Sequence, residues 1–233
     1  MMGIQPTRVM NQPAVAVKIC GLTTIDQANA VAALGASAIG VIGVEASPRF
    51  VTEQERRALF QSLQQHHPGV ERVWVVADLD DDSLSAALQG DGVPSVVQLH
   101  GEESAEHCRE LRRRHGQTQW WKALRLRDPA QLLQLNDYAG CVDALLLDAW
   151  NPNQLGGTGH RLDLDWLQQV DLHCPAGCPW WLAGGISAEW IPDLLAQVQP
   201  FGLDASSRLE LSPGVKQLSK VKALIDATLT QQA

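Results

Sequence analysis

Residues 15–44 read VAVKICGLTTIDQANAVAALGASAIGVIGV, and the fold follows from how that stretch divides. Residues 15–20 form a short apolar run rich in β-branched side chains, the composition of a strand buried on both faces. Within 24–34 the apolar positions Ile25, Ala28, Val31 and Ala32 fall at helical spacing. Residues 36–44 are again apolar and strand-like. Two doubly buried strands joined by a helix make a βαβ unit, whose strands lie parallel.

The pattern continues to the end of the chain. Further strands are expected at 70–77, 95–100, 120–125, 143–148, 179–183 and 202–205. Helical stretches are expected at 52–66, 80–88, 102–115, 128–135, 165–170, 187–197 and 216–228. Eight units in 233 residues give about 29 residues each, which suits a compact α/β fold of the (β/α)8 TIM-barrel type. An open, doubly wound sheet is the rival, but eight units without a linker to a second domain favour closure. The catalytic barrel is expected over residues 15–230, preceded by a flexible tail at 1–14, which is mixed polar with two prolines.

Composition narrows the function. Eighteen Lys and Arg against 26 Asp and Glu leave a formal charge of −8, which argues against nucleic acid or an acidic membrane as partner. The first residues lack the apolar segment of a signal peptide, and no apolar run reaches the roughly 18 residues that cross a bilayer. Five scattered cysteines in a chain without an export signal read as reduced thiols, so a cytoplasmic location is expected. His173, Cys174 and Cys178 have poor ligand spacing, and no metal is expected there. Arg109, Arg112, Arg113 and Arg114 share a helix with Glu102, Glu103, Glu106 and Glu110, which reads as a solvated, ion-paired face.

In a barrel of this kind, chemistry sits at the C-terminal ends of strands and in the loops after them. That filter selects Cys20, Arg49, His100, Asp148 and Asp204, with Gly184-Gly185 and Ser206-Ser207. The glycine pair frees backbone amides and the serines add hydroxyls after strands seven and eight, where such barrels often hold phosphate. A plain tight turn would use the same glycines. Cys20 and Asp148 end strands that face one another across the mouth, so one can remove a proton from a substrate while the other supplies one. The base role needs a thiol lowered from about 8.5 by a cation such as Lys18 or Arg49. The acid role needs the Asp148 carboxyl raised by desolvation or an anionic substrate. Taken singly, a buried cysteine also reads as a small hydrophobe and such an aspartate as a turn former. Arg49 is able to fork onto a carboxylate or phosphate. His100 reads either as a site residue or as a satisfied barrel histidine, and Gly156-Gly157-Thr158-Gly159 has the composition of a closing lid.

Six segments then carry a resemblance: 17–23 around Cys20, Ser47-Pro48-Arg49-Phe50-Val51, Val97-Gln98-Leu99-His100-Gly101-Glu102, Leu147-Asp148 with 156–159, Leu182-Ala183-Gly184-Gly185-Ile186, and Asp204-Ala205-Ser206-Ser207 with Glu210 and Ser212-Pro213-Gly214. In this order, over nearly the whole chain, they resemble the phosphoribosylanthranilate isomerase family. The resemblance implies an enzyme of tryptophan biosynthesis, an intramolecular oxidoreductase without metal or organic cofactor. Its reaction would be the Amadori rearrangement of N-(5-phospho-β-D-ribosyl)anthranilate to 1-(2-carboxyphenylamino)-1-deoxy-D-ribulose 5-phosphate. It implies Cys20 as general base, Asp148 as general acid and Arg49 on the anthranilate carboxylate; His100 and Asp204, at the same strand ends, are expected to bind substrate as well. Gly184, Gly185, Ser206 and Ser207 would bind its phosphate. The partner would be a small phosphosugar, with no nucleic acid and no membrane, and the chain a monomer or homodimer. Two positions depart from the family pattern: Gly43 stands where an aromatic is common, and Arg208 where a glycine follows the serines.

Overall fold

The computed structural model describes residues 15–149 and 161–231. The expected tail at 1–14 and the glycine-rich segment at 156–159 lie outside the described residues. Strand β1 (Ala16–Cys20) leads to α1 (Ile25–Ala33), β2 (Ala38–Ile42), α2 (Glu53–His66), β3 (Glu71–Val76), α3 (Asp81–Ala87), β4 (Val96–Leu99) and α4 (Ala105–Arg114). Next come β5 (Gln119–Leu126), a 3₁₀ stretch at Pro129–Tyr138 and β6 (Ala144–Ala149). The short helices α5 (Leu164–Leu167) and α6 (Val170–His173) precede β7 (Trp180–Ala183), and α7 (Ile191–Leu195) precedes β8 (Gly202–Ala205). A small hairpin, β9 (Glu210–Ser212) and β10 (Val215–Lys216), precedes the last helix, α8 (Leu218–Thr230).

The eight long-expected strands pair in sequence order, all parallel, and β8 pairs with β1 to close the barrel. Closure follows from the two apolar faces. Ala38, Val73, Val75, Val96, Trp121, Ala123, Ala144, Leu146 and Trp181 fill the interior. Their sequence neighbours Ile39, Trp74, Val97, Trp120, Leu145, Leu147 and Trp180 pack outward against the helices. Every strand is therefore covered on both sides, as parallel sheets require. Among the described residues no helix is long and apolar enough to cross a membrane.

Three details differ from the sequence reading. The fifth connection is 3₁₀ rather than α-helical, and its buried side chains Leu132 and Leu135 lie three residues apart, the spacing that a three-residue turn aligns. The final helix starts at Leu218, because Val215–Lys216 is a strand of the hairpin, turned by Gly214 at φ +83°. Glu103 is not part of a solvated face: it is buried and bonded to Lys122 at 2.8 Å. Lys122 also donates to the Gly101 carbonyl, while Glu103 accepts from the amides of Gly101 and Asp78. This set fixes the turn that follows His100.

Aromatic rings pack near the N-terminal ends of the strands, and a cavity lined by Cys20 and Asp148 lies at the opposite ends. Trp121 and Trp181 have ring centroids 4.7 Å apart, and Phe201 meets Trp181 edge-on at 5.6 Å. Gly202, in register with Trp181, is where that indole lies: an added Cβ would approach its ring to 2.4 Å. Overpacking of such a core costs about 1–3 kcal/mol. Gly202→Ala is expected to lower the urea midpoint by that amount of stability without changing the fold. An unchanged midpoint would mean that the Trp181 ring repacks freely.

Candidate active site

All nine residues singled out from the sequence line one cavity of ≈ 240 Å³: Cys20, Arg49, His100, Asp148, Gly184, Gly185, Asp204, Ser206 and Ser207. They converge because each closes a strand or begins the loop after it. Lys18, Gln98, Asp148 and Asp204 occupy the inward-facing alternation of their strands, above the apolar layers.

Cys20 ends β1 opposite Gly40 of β2, and a Cβ at Gly40 would lie 2.7 Å from the Cys20 sulfur. The glycine makes room for the thiol. Gly21 at φ +80° then turns the chain, and a Cβ there would meet the Arg49 side chain at 2.6 Å. Burial pushes the Cys20 thiol above its ordinary pKa; Lys18 and Lys216 pull it down and Asp204 pushes it up. The net lowering of this thiol expected from nearby cations is therefore not found. Burial outweighs both cations, and Lys18 Nζ is also bonded, at 2.9 Å, to Oδ2 of Asp204, whose charge opposes ionisation of the thiol. Burial works against the Lys18 ammonium, yet Asp204 and Cys20 hold its pKa above the ordinary lysine value.

Asp148 behaves as an acid role requires. Burial pushes its carboxyl up to about 7, with Asp204 adding to the shift and the Ala149 amide, Lys18 and Arg125 opposing it. His100 stands beside it, Nε2 being 3.7 Å from Asp148 Oδ2, while Nδ1 lies 3.2 Å from Gln98 Nε2. His100 Nε2 has no hydrogen-bond partner among the described residues. Burial, with Lys122, Lys18 and Arg125 nearby, lowers this imidazole to about 3, so it is neutral. His100 thus lines the cavity with one ring nitrogen met by Gln98. Asp204 Oδ1 is likewise buried without a partner among the described residues.

Arg49 does fork onto a carboxylate, but that carboxylate is the protein's own. Its Nε and Nη2 donate to the two carboxylate oxygens of Glu210 at 2.8 and 2.7 Å. Glu210 also accepts from Lys216 Nζ at 2.6 Å and from the Gly214 amide at 3.2 Å. Lys216 in turn donates to Ser206 Oγ, whose hydroxyl donates to the Cys20 carbonyl. Burial works to raise the Glu210 carboxyl, but Arg49 and Lys216 hold it below its ordinary value. One chain of bonds thus joins the loop after β2, the end of β1 and the loop after β8. The sequence reading missed Lys216, which it took as the first residue of a helix. Ser212-Pro213-Gly214, turn formers between two short runs, were the available signal.

Gly184 and Gly185 have φ of +95° and +64°, conformations that glycine adopts without strain. Both unusual positions now have a physical account. Arg208 lies in the 3₁₀ turn Ser207–Leu209 and is not among the positive-φ residues, so it needs no glycine. At Gly43 an added Cβ would sit 2.2 Å from the Trp74 indole nitrogen. A side chain at 43 therefore requires the Trp74 ring to shift.

The raised Asp148 carboxyl has a thermodynamic signature. The unfolded chain releases this proton near the ordinary value of about 3.9, the folded one near 7. Between those values the native state binds more protons, so its stability falls as the pH rises through that window. Asp148→Asn is expected to flatten this part of the stability–pH curve measured by urea unfolding. Identical slopes in variant and parent would contradict the assignment.

Comparison with known proteins shows the family and the fold. The family model described as N-(5′phosphoribosyl)anthranilate (PRA) isomerase matches residues 17–227. An N-(5′-phosphoribosyl)anthranilate isomerase from Thermosynechococcus vestitus is 45% identical over 211 residues, 91% of this chain and 88% of that protein. The crystal structure of phosphoribosyl anthranilate isomerase from Thermus thermophilus superposes with a TM-score of 0.79 at 31% identity, covering 93% of this chain and 100% of that one. Another, solved in complex with reduced 1-(o-carboxyphenylamino)-1-deoxyribulose 5-phosphate, has a TM-score of 0.75 at 27% identity, with 93% and 99% covered. The chain belongs to the N-(5′-phosphoribosyl)anthranilate isomerase family.

Proposed function

We propose that Cys20 and Asp148 are the base and the acid with which this chain rearranges N-(5-phospho-β-D-ribosyl)anthranilate to 1-(2-carboxyphenylamino)-1-deoxy-D-ribulose 5-phosphate in tryptophan biosynthesis. The observation that carries the reading is that a thiol from β1 and a proton-holding carboxyl from β6 line the same cavity. A similar structure solved in complex with reduced 1-(o-carboxyphenylamino)-1-deoxyribulose 5-phosphate supports a substrate of this class.

The protonated Asp148 carboxyl delivers its proton to the furanose ring oxygen. The C1′–O bond breaks, and the anthranilate nitrogen lone pair forms the iminium. The Cys20 thiolate removes the C2′ proton, giving an enolamine that tautomerises to the ketoamine. The cycle closes when the thiol proton returns to the Asp148 carboxylate through solvent. Lys18 and Lys216 supply the positive potential that makes the thiolate accessible in a buried site.

Binding follows the same geography. Gly184, Gly185, Ser206 and Ser207 hold the phosphate through amides and hydroxyls. The edge of Arg49 not taken by Glu210 meets the anthranilate carboxylate, with its plane already fixed. Asp204 Oδ1 accepts from a sugar hydroxyl, and neutral His100 hydrogen-bonds the substrate beside Asp148.

General acid–base assistance is worth roughly 10²–10⁴-fold per group. Cys20→Ala and Asp148→Ala are each expected to lose turnover on that scale, followed as loss of anthranilate-conjugate fluorescence with EDTA present, while circular dichroism stays native. Near-parental rates in both would overturn the roles. Inorganic phosphate is expected to raise Tm in proportion to its occupancy of the two loops. No shift at millimolar phosphate would undercut that binding site.

A further inference from the structure

At the end of the barrel opposite the cavity, His173-Cys174-Pro175-Ala176-Gly177-Cys178-Pro179 connects α6 to β7. The Cys178 amide donates to the Pro175 carbonyl at 3.0 Å, and Gly177 has φ +78°. Residues 175–178 therefore make a tight turn whose third residue needs glycine. On the other side, the Cys174 amide donates to the Val170 carbonyl at 2.7 Å. The two cysteines are held as the posts of this turn, and Cys174 Sγ donates to the Cys178 carbonyl at 3.3 Å. Both are half-buried, whereas Cys20, Cys108 and Cys141 are buried. Among the described residues no third ligand completes a metal group here.

We propose that Cys174 and Cys178 form a redox-active dithiol, converted to an intramolecular disulfide by low-molecular-weight disulfides such as oxidised glutathione. The Cys178 thiolate attacks one sulfur of the oxidant, releasing one thiolate and forming a mixed disulfide. Cys174 then loses its proton and attacks the Cys178 sulfur, releasing the second thiolate. Two protein thiols and one small disulfide become one protein disulfide and two small thiols. Two electrons pass to the oxidant, and the protons go to the leaving thiolates.

The order of attack follows from the bonds of the pair: the Cys174 thiol is engaged with the Cys178 carbonyl at 3.3 Å, whereas Cys178 Sγ reaches the Pro179 carbonyl only at 3.9 Å. Its contact with Cys174 holds the Cys178 thiol below its ordinary pKa, with the Leu145 backbone and Arg112 assisting against burial and Asp143. The same contact and burial hold Cys174 above its ordinary value. The buried thiols compete poorly: burial pushes Cys108 up to about 12 and raises Cys20 as well.

The test uses the full chain, incubated with oxidised glutathione, acid-quenched, alkylated and mapped by non-reducing proteolysis. The expected product has lost the mass of two hydrogens and yields a Cys174–Cys178 linked peptide, reversed by dithiothreitol. Its isomerase turnover is unchanged, because the pair lies at the far end of the barrel. Cys174→Ser is expected to stop at a glutathione adduct on Cys178. Free alkylation of both cysteines in the parent, a lasting adduct in place of the link, or no adduct on Cys178 in Cys174→Ser would each overturn the proposal.

Discussion

The ion pair between Lys18 and Asp204 is the constraint on which the rest depends. It spans the seam where the first and last strands meet, in register, with Lys18 wholly out of solvent. A buried pair of this kind adds little net stability against an apolar replacement, but losing one partner strands a charge at a cost of about 3–5 kcal/mol. Its value is electrostatic. Asp204 raises both Cys20 and Asp148, and Lys18 lowers both. The pair thus couples the thiol and the carboxyl that we assign to the chemistry.

Around this seam the β9–β10 hairpin acts as a brace. Glu210 takes the fork of Arg49 and the ammonium of Lys216, and Lys216 reaches Ser206, which is bonded to the end of β1. An arginine held flat in this way loses little further freedom when a ligand carboxylate arrives. The brace also makes the loop after β8 and the thiol strand one mechanical unit, so a ligand at Ser206 and Ser207 bears directly on the position of Cys20.

The fold was legible because its strands are apolar on both faces, a pattern that only a helix-covered parallel sheet satisfies. The position of the site was legible for the same reason, since closure sends every strand end to one rim. What eluded the sequence were partnerships across long separations. Arg49 and Glu210 lie 161 residues apart, and Lys18 and Asp204 186 apart. Glu103 looked like one of several helix-face glutamates, yet it is buried against Lys122 from the next strand. The shift of Cys20 is set by burial first, then by Lys18, Asp204 and Lys216 around it, and spacing carries no such information. The 3₁₀ stretch and the hairpin were hidden by weak local signals.

Burial raises both the thiol and the carboxyl, so the form our proposal requires, with Cys20 ionised and Asp148 protonated, is a minority at every pH. The pair then titrates as one system with two apparent values. The pH dependence of kcat/KM for the free enzyme tests this most directly. It is expected to climb until about pH 7, where Asp148 titrates, then level off and fall only above the raised thiol value. A profile already flat well below pH 7 would contradict the coupled pair.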